Sequence, residues 1–419
     1  MFRAFEDVLG YLNRATDYER QSAPYSPGTY NLERMRRLVA ALDHPERAFR
    51  SLHVAGTKGK GSVAHMAEAI LRAAGHRTGL YTSPHLVDLR ERIRIGGRIL
   101  PPGDLVWAMN RMERPLRRLK PTYFEIMTAA AFVLFARRRV DWAVVEVGLG
   151  GRLDATNVIV PAACAITPVD YDHMDKLGST LGAIAAEKAG IVKPGVPVVV
   201  GPQRPAPLRA IRRACRPLSP KVFPGRRRGF VLNFIVEGIR GDRYRCALRV
   251  LGRHQAWNAG TAIALVEAAG LRPGPAEIRK AFSGLRLPGR IEVVGRRPWM
   301  IVDSAHNPVS ARALAEALRD VPRKRTVLVF GASADKDWRG MLRILQPGTE
   351  ATVFTRAAGP RAADPALLAE SASGPSLLTR GVAEALDLAR VLAGPGDAIV
   401  VAGSVYVAGE ALNFLGGGP

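Results

Sequence analysis

The strongest chemical signal in the chain is Gly56-Thr57-Lys58-Gly59-Lys60-Gly61-Ser62. Glycines free a loop to bring several backbone N–H groups onto phosphate oxygens. Lys60 puts a positive charge near the outer phosphates, and Ser62, at the start of a helix, offers a hydroxyl to Mg²⁺. The spacing departs from the standard phosphate loop. Counting back from Gly59, the expected first glycine is Val54, and Gly61 separates Lys60 from Ser62. The alternative is a glycine-rich turn with incidental lysines.

Four further stretches carry groups that can act. Glu146 opens Glu146-Val147-Gly148-Leu149-Gly150-Gly151-Arg152-Leu153-Asp154 at the end of an apolar run, where its carboxylate can coordinate Mg²⁺ opposite Ser62; a strand-capping acid is the alternative. In Asp170-Tyr171-Asp172-His173 the imidazole of His173 can bind a second cation, or Asp172 can fix its tautomer, unless the histidine is structural. Lys188, in Ala186-Glu187-Lys188-Ala189-Gly190-Ile191, has the local pattern of a solvated helix face. In Asp303-Ser304-Ala305-His306-Asn307-Pro308, Asp303 can grip ribose hydroxyls, and His306 with the helix start after Pro308 can meet an anion. A plain strand-to-helix turn capped by Asn307 would look the same.

The surrounding pattern supplies the elements that must hold these groups. Apolar residues at Leu32, Met35, Leu38, Val39 and Leu42 have helical spacing, so a helix is expected over about 33–42. A strand at Leu52–Ala55 runs into the glycine loop, and a helix from about Ser62 to Ala74 follows: the first unit of a nucleotide-binding α/β domain. Near-continuous apolar runs at 142–147, 164–167 and 196–200 suit a parallel sheet covered on both faces. Between about 222 and 250 the pattern alternates, as an antiparallel patch does. The chain breaks at Pro288–Ile291, and a second α/β set begins, with strands at 300–303, 326–330, 351–354 and 398–401. The expected domains are therefore 1–289 and 290–419. No internal repeat is seen, and Gly416-Gly417-Gly418-Pro419 looks like a frayed tail.

Bulk properties narrow the class. At 419 residues, 47 % hydrophobic and 23 % charged, the chain is of ordinary globular composition and long enough to bury a core without staples. The start lacks the apolar segment of a signal peptide, and no apolar run reaches the length of a membrane span. Three scattered cysteines, Cys164, Cys215 and Cys246, form neither a disulfide framework nor a metal cluster, so a reducing cytoplasm is expected. The net charge of +24 raises nucleic acid as a partner. The arginines are scattered in short clusters rather than a stripe, however, and a basic field equally attracts nucleotides and poly-acid substrates.

No single motif decides function, but their order does. The motif series resembles the folylpolyglutamate synthase/dihydrofolate synthase family of the Mur ligase superfamily, over nearly the whole chain. The residues carrying the resemblance are His53 to Ser62, Tyr81-Thr82-Ser83-Pro84-His85-Leu86, Thr122-Tyr123-Phe124-Glu125, Glu146 to Asn157, Asp172-His173, Glu187 to Ile191, Gly252 to Asn258, Pro288-Gly289-Arg290, Asp303 to Pro308 and Asp335-Lys336-Asp337. One departure is Lys58, where that family usually has asparagine.

The resemblance implies an α/β fold: a P-loop nucleotide-binding domain with a parallel-rich sheet, then a smaller C-terminal Rossmann-like α/β domain. It implies an ATP-dependent ligase that adds L-glutamate to dihydropteroate, to folates, or to both, through an acyl phosphate. ATP phosphates would lie on Gly56, Thr57, Lys58, Gly59, Lys60, Gly61 and Ser62. Asn258 would face adenine, Arg290 the γ-phosphate and Asp303 the ribose. Ser62 and Glu146 would hold one Mg²⁺, and His173 with a carbamylated Lys188 a second. His306 would position nucleotide or amino acid, and Ser83, Phe124, Asp154 and Ala155 would receive the pterin. The implied protein is a cytoplasmic monomer acting on small molecules, with neither nucleic acid nor membrane as partner. Another Mur-type ligase and a P-loop ATPase acting on nucleic acid are the competing readings.

Overall fold

The computed structural model describes residues 1–18, 29–30 and 32–416. Residues 417–419, most of the expected frayed tail, lie outside the described residues.

The strands are β1 (Arg50–Ala55), β2 (Thr78–Tyr81), β3 (Ile93–Ile95), β4 (Arg98–Ile99), β5 (Trp142–Glu146), β6 (Ala163–Ile166), β7 (Val198–Val200), β8 (Lys221–Arg228), β9 (Val231–Glu237), β10 (Arg243–Leu248), β11 (Glu292–Arg296), β12 (Trp299–Val302), β13 (Thr326–Phe330), β14 (Ala351–Phe354), β15 (Ser376–Leu378) and β16 (Ala398–Ala402). They form three sheets. The first runs β4-β3-β2-β5-β1-β6-β7, the second β10-β9-β8, and the third β11-β12-β16-β13-β14-β15.

The first sheet is parallel from β2 through β7, with β3 and β4 added antiparallel at one edge. Apart from Arg50 at the start of β1, its central strands are buried, as their largely apolar runs require. The helix Tyr123–Arg137 covers one face, burying Phe132 and Phe135 in the cluster that includes Val145. Helices Lys60–Ala73 and His254–Ala268 cover the other face, packing Met66, Ile70 and Ile263 with Leu52 and Val144. The expected helix near 33–42 is Leu32–Ala40, with Met35, Leu38 and Val39 inward.

The alternating segment forms the antiparallel second sheet. In β9 it buries Leu232, Phe234 and Val236 while Ile235 faces out. The third sheet is parallel except for β11, which pairs antiparallel with β12. Helices Pro308–Leu318 and Trp338–Leu345 pack on one face and Val382–Leu392 and Val405–Phe414 on the other.

Five strands went unanticipated: β2, β3, β4, β11 and β15. Of these, β4 has two residues and β15 is exposed at every position, so neither leaves an apolar pattern to read. The other three are short or polar, and their neighbours in the sheet define them.

Candidate active site

Both parallel sheets point the carboxyl ends of their strands into one cavity of about 1910 Å³. Open α/β sheets bind ligands at such ends because the loops there are free to vary while the strands fix their origins. Every residue given a catalytic, nucleotide, metal or pterin role from sequence lines this cavity.

The phosphate loop leaves β1 and is fastened by its backbone. The N–H groups of Thr57 and Lys58 both donate to the Pro168 carbonyl, at 3.0 and 3.1 Å, and the Thr57 hydroxyl donates to the Asp170 carbonyl at 3.1 Å. Two glycines are required by space. Gly56 has φ +148, and a methyl there would overlap the Thr167 side chain. Gly59 has φ +86, and a methyl there would lie 2.5 Å from Asn258 Oδ1. Gly59 caps the helix Lys60–Ala73, so the unpaired N–H groups of its first turn face the cavity beside Lys60. Orphan donors and the helix dipole make such an end an anion site.

Glu146, at the end of β5, is 3 % exposed. Its Oε2 accepts from the Ser83 N–H at 3.1 Å, and a methyl on Gly61 would come within 3.5 Å of the same oxygen. Burial pushes this carboxyl up, against the pull of Lys60. Among the described residues, no cluster of three or more His, Cys, Asp or Glu could hold a metal unaided. A hydroxyl and a carboxylate beside a phosphate loop nevertheless fit Mg²⁺, which takes one or two protein oxygens and shares the rest with phosphates and water.

Asp172 does not fix the His173 tautomer as the sequence suggested. His173 Nε2 stands 3.8 Å from Asp172 Oδ1, whereas Lys58 Nζ lies 2.9 Å from Oδ2. Burial alone would raise the Asp172 carboxyl, but the facing His306 ring and the Lys58 charge hold it far below the usual range.

Lys188 corrects a second expectation. It is not on a solvated face but 4 % exposed, and it lines the cavity. Burial, with the Lys60 charge adding to it, pushes its amine down to about 7. The small residues around it serve close approach. A methyl on Gly151 would lie 2.7 Å from the Glu187 carbonyl oxygen and 2.9 Å from that of Lys188.

On the C-terminal side, Asp303 follows β12. It accepts from the Ile291 and Ala305 N–H groups at 2.8 and 2.9 Å, and burial pushes its carboxyl up to about 6 despite Arg290. Arg290 donates to the Ser304 hydroxyl at 2.9 Å. The His306 Nδ1 pairs with the Ser304 carbonyl at 2.9 Å, and Asn307 caps the helix Pro308–Leu318 through the Ser310 N–H. Asn258 donates to Gln255 at 2.9 Å.

At the other end of the cavity, the Phe124 ring covers Gly148, where a methyl would lie 2.6 Å from Cζ, and sits 6.0 Å from Tyr81. Asp154 caps the turn Ala155–Val158. It accepts from Leu149 N–H at 2.9 Å and from the Thr156 N–H and hydroxyl at 3.0 and 2.5 Å. His53 pairs with that hydroxyl at 2.9 Å, so two polar groups behind Asp154 fix its orientation. The loop carrying Ser83 touches the C-terminal side, where a methyl on Gly409 would overlap the Leu86 carbonyl.

Sequence reasoning missed several cavity residues. Arg34 projects from the helix Leu32–Ala40 and donates to Glu125 at 2.7 Å. Arg361 enters after β14 and pairs with Asp335 at 2.8 Å, while Lys336, already marked within Asp335-Lys336-Asp337, enters after β13. The signal for Arg34 was available, since it lies off the apolar stripe of its helix. Arg361 sits in a loop with no pattern of its own.

Two families match the chain: "Mur ligase middle domain" over residues 54–200 and "Mur ligase, glutamate ligase domain" over residues 289–405. A dihydrofolate synthase/folylpolyglutamate synthase of Mycobacterium tuberculosis is 37 % identical, over 93 % of this chain and 91 % of its own length. A probable bifunctional folylpolyglutamate synthase/dihydropteroate synthase of Haloferax volcanii is 36 % identical over 92 % of this chain; the chain spans about half, 48 %, of that relative. Among solved structures, Mycobacterium tuberculosis folylpolyglutamate synthase complexed with ADP and AMPPCP superposes with a TM-score of 0.90 at 33 % identity, covering 99 % of both chains. A bifunctional folylpolyglutamate synthase/dihydrofolate synthase of Yersinia pestis complexed with AMPPNP and Mn ion gives 0.85 at 31 % identity, covering 99 % of this chain and 98 % of that one.

Proposed function

The chain belongs to the folylpolyglutamate synthase/dihydrofolate synthase family of Mur ligases, and we propose that it uses ATP to join L-glutamate to the carboxylate of dihydropteroate, of a folate, or of both. The observation that carries this reading is the convergence of Lys60, Glu146, Arg290 and Asp303 from two sheets on one cavity, with Phe124 and Asp154 at its far end.

The chemistry follows from the groups present. The first turn of Lys60–Ala73, with Lys60, holds the nucleotide phosphates, and Arg290 neutralises charge on the γ-phosphoryl as it transfers. Mg²⁺ bound through Ser62 and Glu146 would supply further charge neutralisation there. The acceptor carboxylate attacks the γ-phosphorus and ADP departs, leaving an acyl phosphate. The glutamate amine attacks that carbonyl, loses a proton, and expels phosphate. Asp303 accepts ribose hydroxyls, Asn258 faces adenine, and His306 positions nucleotide or amino acid. Phe124 gives the pterin an aromatic face, Asp154 accepts from its donor edge, and Ser83 and Ala155 close the site. Burial of the acyl phosphate between residues 1–289 and 290–419, taken as the two domains, keeps water from hydrolysing it.

Lys188 is read as a carbamate that, with His173, holds a second Mg²⁺. Support comes from its amine, held down to about 7. Only the neutral amine reacts with CO2, forming N–C and releasing a proton, and here much of it is neutral at ordinary pH. A cytoplasmic monomer agrees with a cleft built from one chain and with three unpaired cysteines.

The test is ADP release with glutamate and either dihydropteroate or tetrahydrofolate. Turnover that needs both is expected. Turnover indifferent to glutamate, or stimulated by nucleic acid instead, overturns the reading.

A further inference from the structure

Lys58 stands in the phosphate loop two residues before Lys60, and its ammonium has a defined partner. The pair Lys58 Nζ–Asp172 Oδ2, at 2.9 Å, is mostly withdrawn from solvent, with side chains 23 % and 13 % exposed. The same Asp172 oxygen is 3.4 Å from Asn307 Nδ2 and 3.9 Å from His306 Nε2, both beyond β12 in the C-terminal domain. The phosphate loop is already tied to the 168–172 loop by the Thr57 and Lys58 N–H groups on Pro168. The side chain of Lys58 continues that tie through Asp172 and across the cleft.

We propose that Lys58 is a positioning residue which, through Asp172, couples the phosphate loop to His306 and Asn307 and so sets the geometry of the closed cleft. The inference rests on the ligase reading above. An unpaired Asp172 carboxylate would draw on the other cations of the cavity: Lys188 already feels its charge, and Lys60 and Arg290 are close enough to Lys58 to feel the charge there. With Lys58 on Asp172, those two stay directed at phosphate.

The experiment is a double-mutant cycle on the full chain: Lys58→Met, Asp172→Asn and the two together, with Lys58→Arg as the conservative variant. KM for glutamate, KM for ATP, kcat and calorimetric ADP affinity are measured for each, with unfolding midpoints. Each single change is expected to lower kcat/KM for glutamate about ten- to a hundredfold, with the double no worse than the weaker single. Lys58→Arg should recover most of the loss, and ADP affinity should move by less than about threefold, within the scatter of uncoupled sites. Multiplicative losses in the double variant would overturn the proposal. So would a Lys58→Met defect confined to ATP and ADP with Asp172→Asn silent, since Lys58 would then be a phosphate ligand alone. A wild-type chain lacking glutamate-dependent turnover defeats the ligase reading itself. The unfolding midpoints of the same four proteins still report the coupling, and additive midpoints would refute it.

Discussion

Replacing Lys188 with methionine should make the nucleotide-free protein more stable while removing its ligase activity. The reasoning is one of linkage. A lysine ordinarily titrates near 10.5, but burial and then Lys60 hold this one at about 7. Between those values the unfolded chain binds a proton that the folded chain does not, so stability rises with pH across that window. Below about pH 7 the folded protein must protonate a buried amine and bears the whole cost. At 1.36 kcal/mol per pH unit that cost is about 5 kcal/mol at pH 6, falling to about 3 kcal/mol at pH 8. Methionine keeps the length of the side chain without the charge. Denaturant unfolding in CO2-free buffer should show the Lys188→Met gain shrinking by about 1–2 kcal/mol from pH 6 to pH 8. Bicarbonate should then stabilise the wild type and leave the methionine variant unmoved, because only the wild type can form a carbamate. A variant no more stable than wild type, or a gain that grows with pH, would refute the reasoning.

Lys60→Met should abolish ATP turnover with little change in unfolding midpoint, because the side chain faces the cavity rather than a core; near-wild-type ligase rates would remove the phosphate loop from the account. Gly56→Ala, which forces a methyl onto Thr167 at φ +148, should lose nucleotide affinity measured by calorimetry, and unchanged affinity would mean the loop conformation is not needed. Asp154→Ala should weaken pterin-dependent turnover about ten- to a hundredfold, the loss of a charge-assisted hydrogen bond of roughly 1.5–3 kcal/mol. If dihydropteroate and longer folates bind in different modes, dihydrofolate formation should suffer much more than glutamate extension. Equal losses with a lowered unfolding midpoint would assign Asp154 to its turn alone.

What could be read from the sequence was whatever the chain writes locally. The glycine loop, the carboxylate ending β5 and the Asp303–Pro308 turn each combine an apolar strand with the polar residues that follow it, so their place at strand ends was legible. Lys188 was not, because alanines and glycines beside a lysine look like a solvated helix when they are in fact making room for the 151–152 turn. The Lys58–Asp172 pair was equally hidden, since it joins residues more than a hundred positions apart. His53 gave no sign of its service to Asp154, because a histidine within an apolar strand looks like core until Thr156 is seen beside it. The strand β15 and the cavity arginine Arg361 depend on neighbours from other parts of the third sheet and have no periodicity of their own.

The central claim is that ATP converts the acceptor carboxylate into an acyl phosphate before the glutamate amine attacks it. The direct measurement uses an acceptor whose carboxylate oxygens are both ¹⁸O, with mass analysis of the phosphate released during ligation. The account predicts one ¹⁸O in each phosphate, carried over when the carboxylate attacks the γ-phosphorus, with the other retained in the new amide. Phosphate free of label would contradict it.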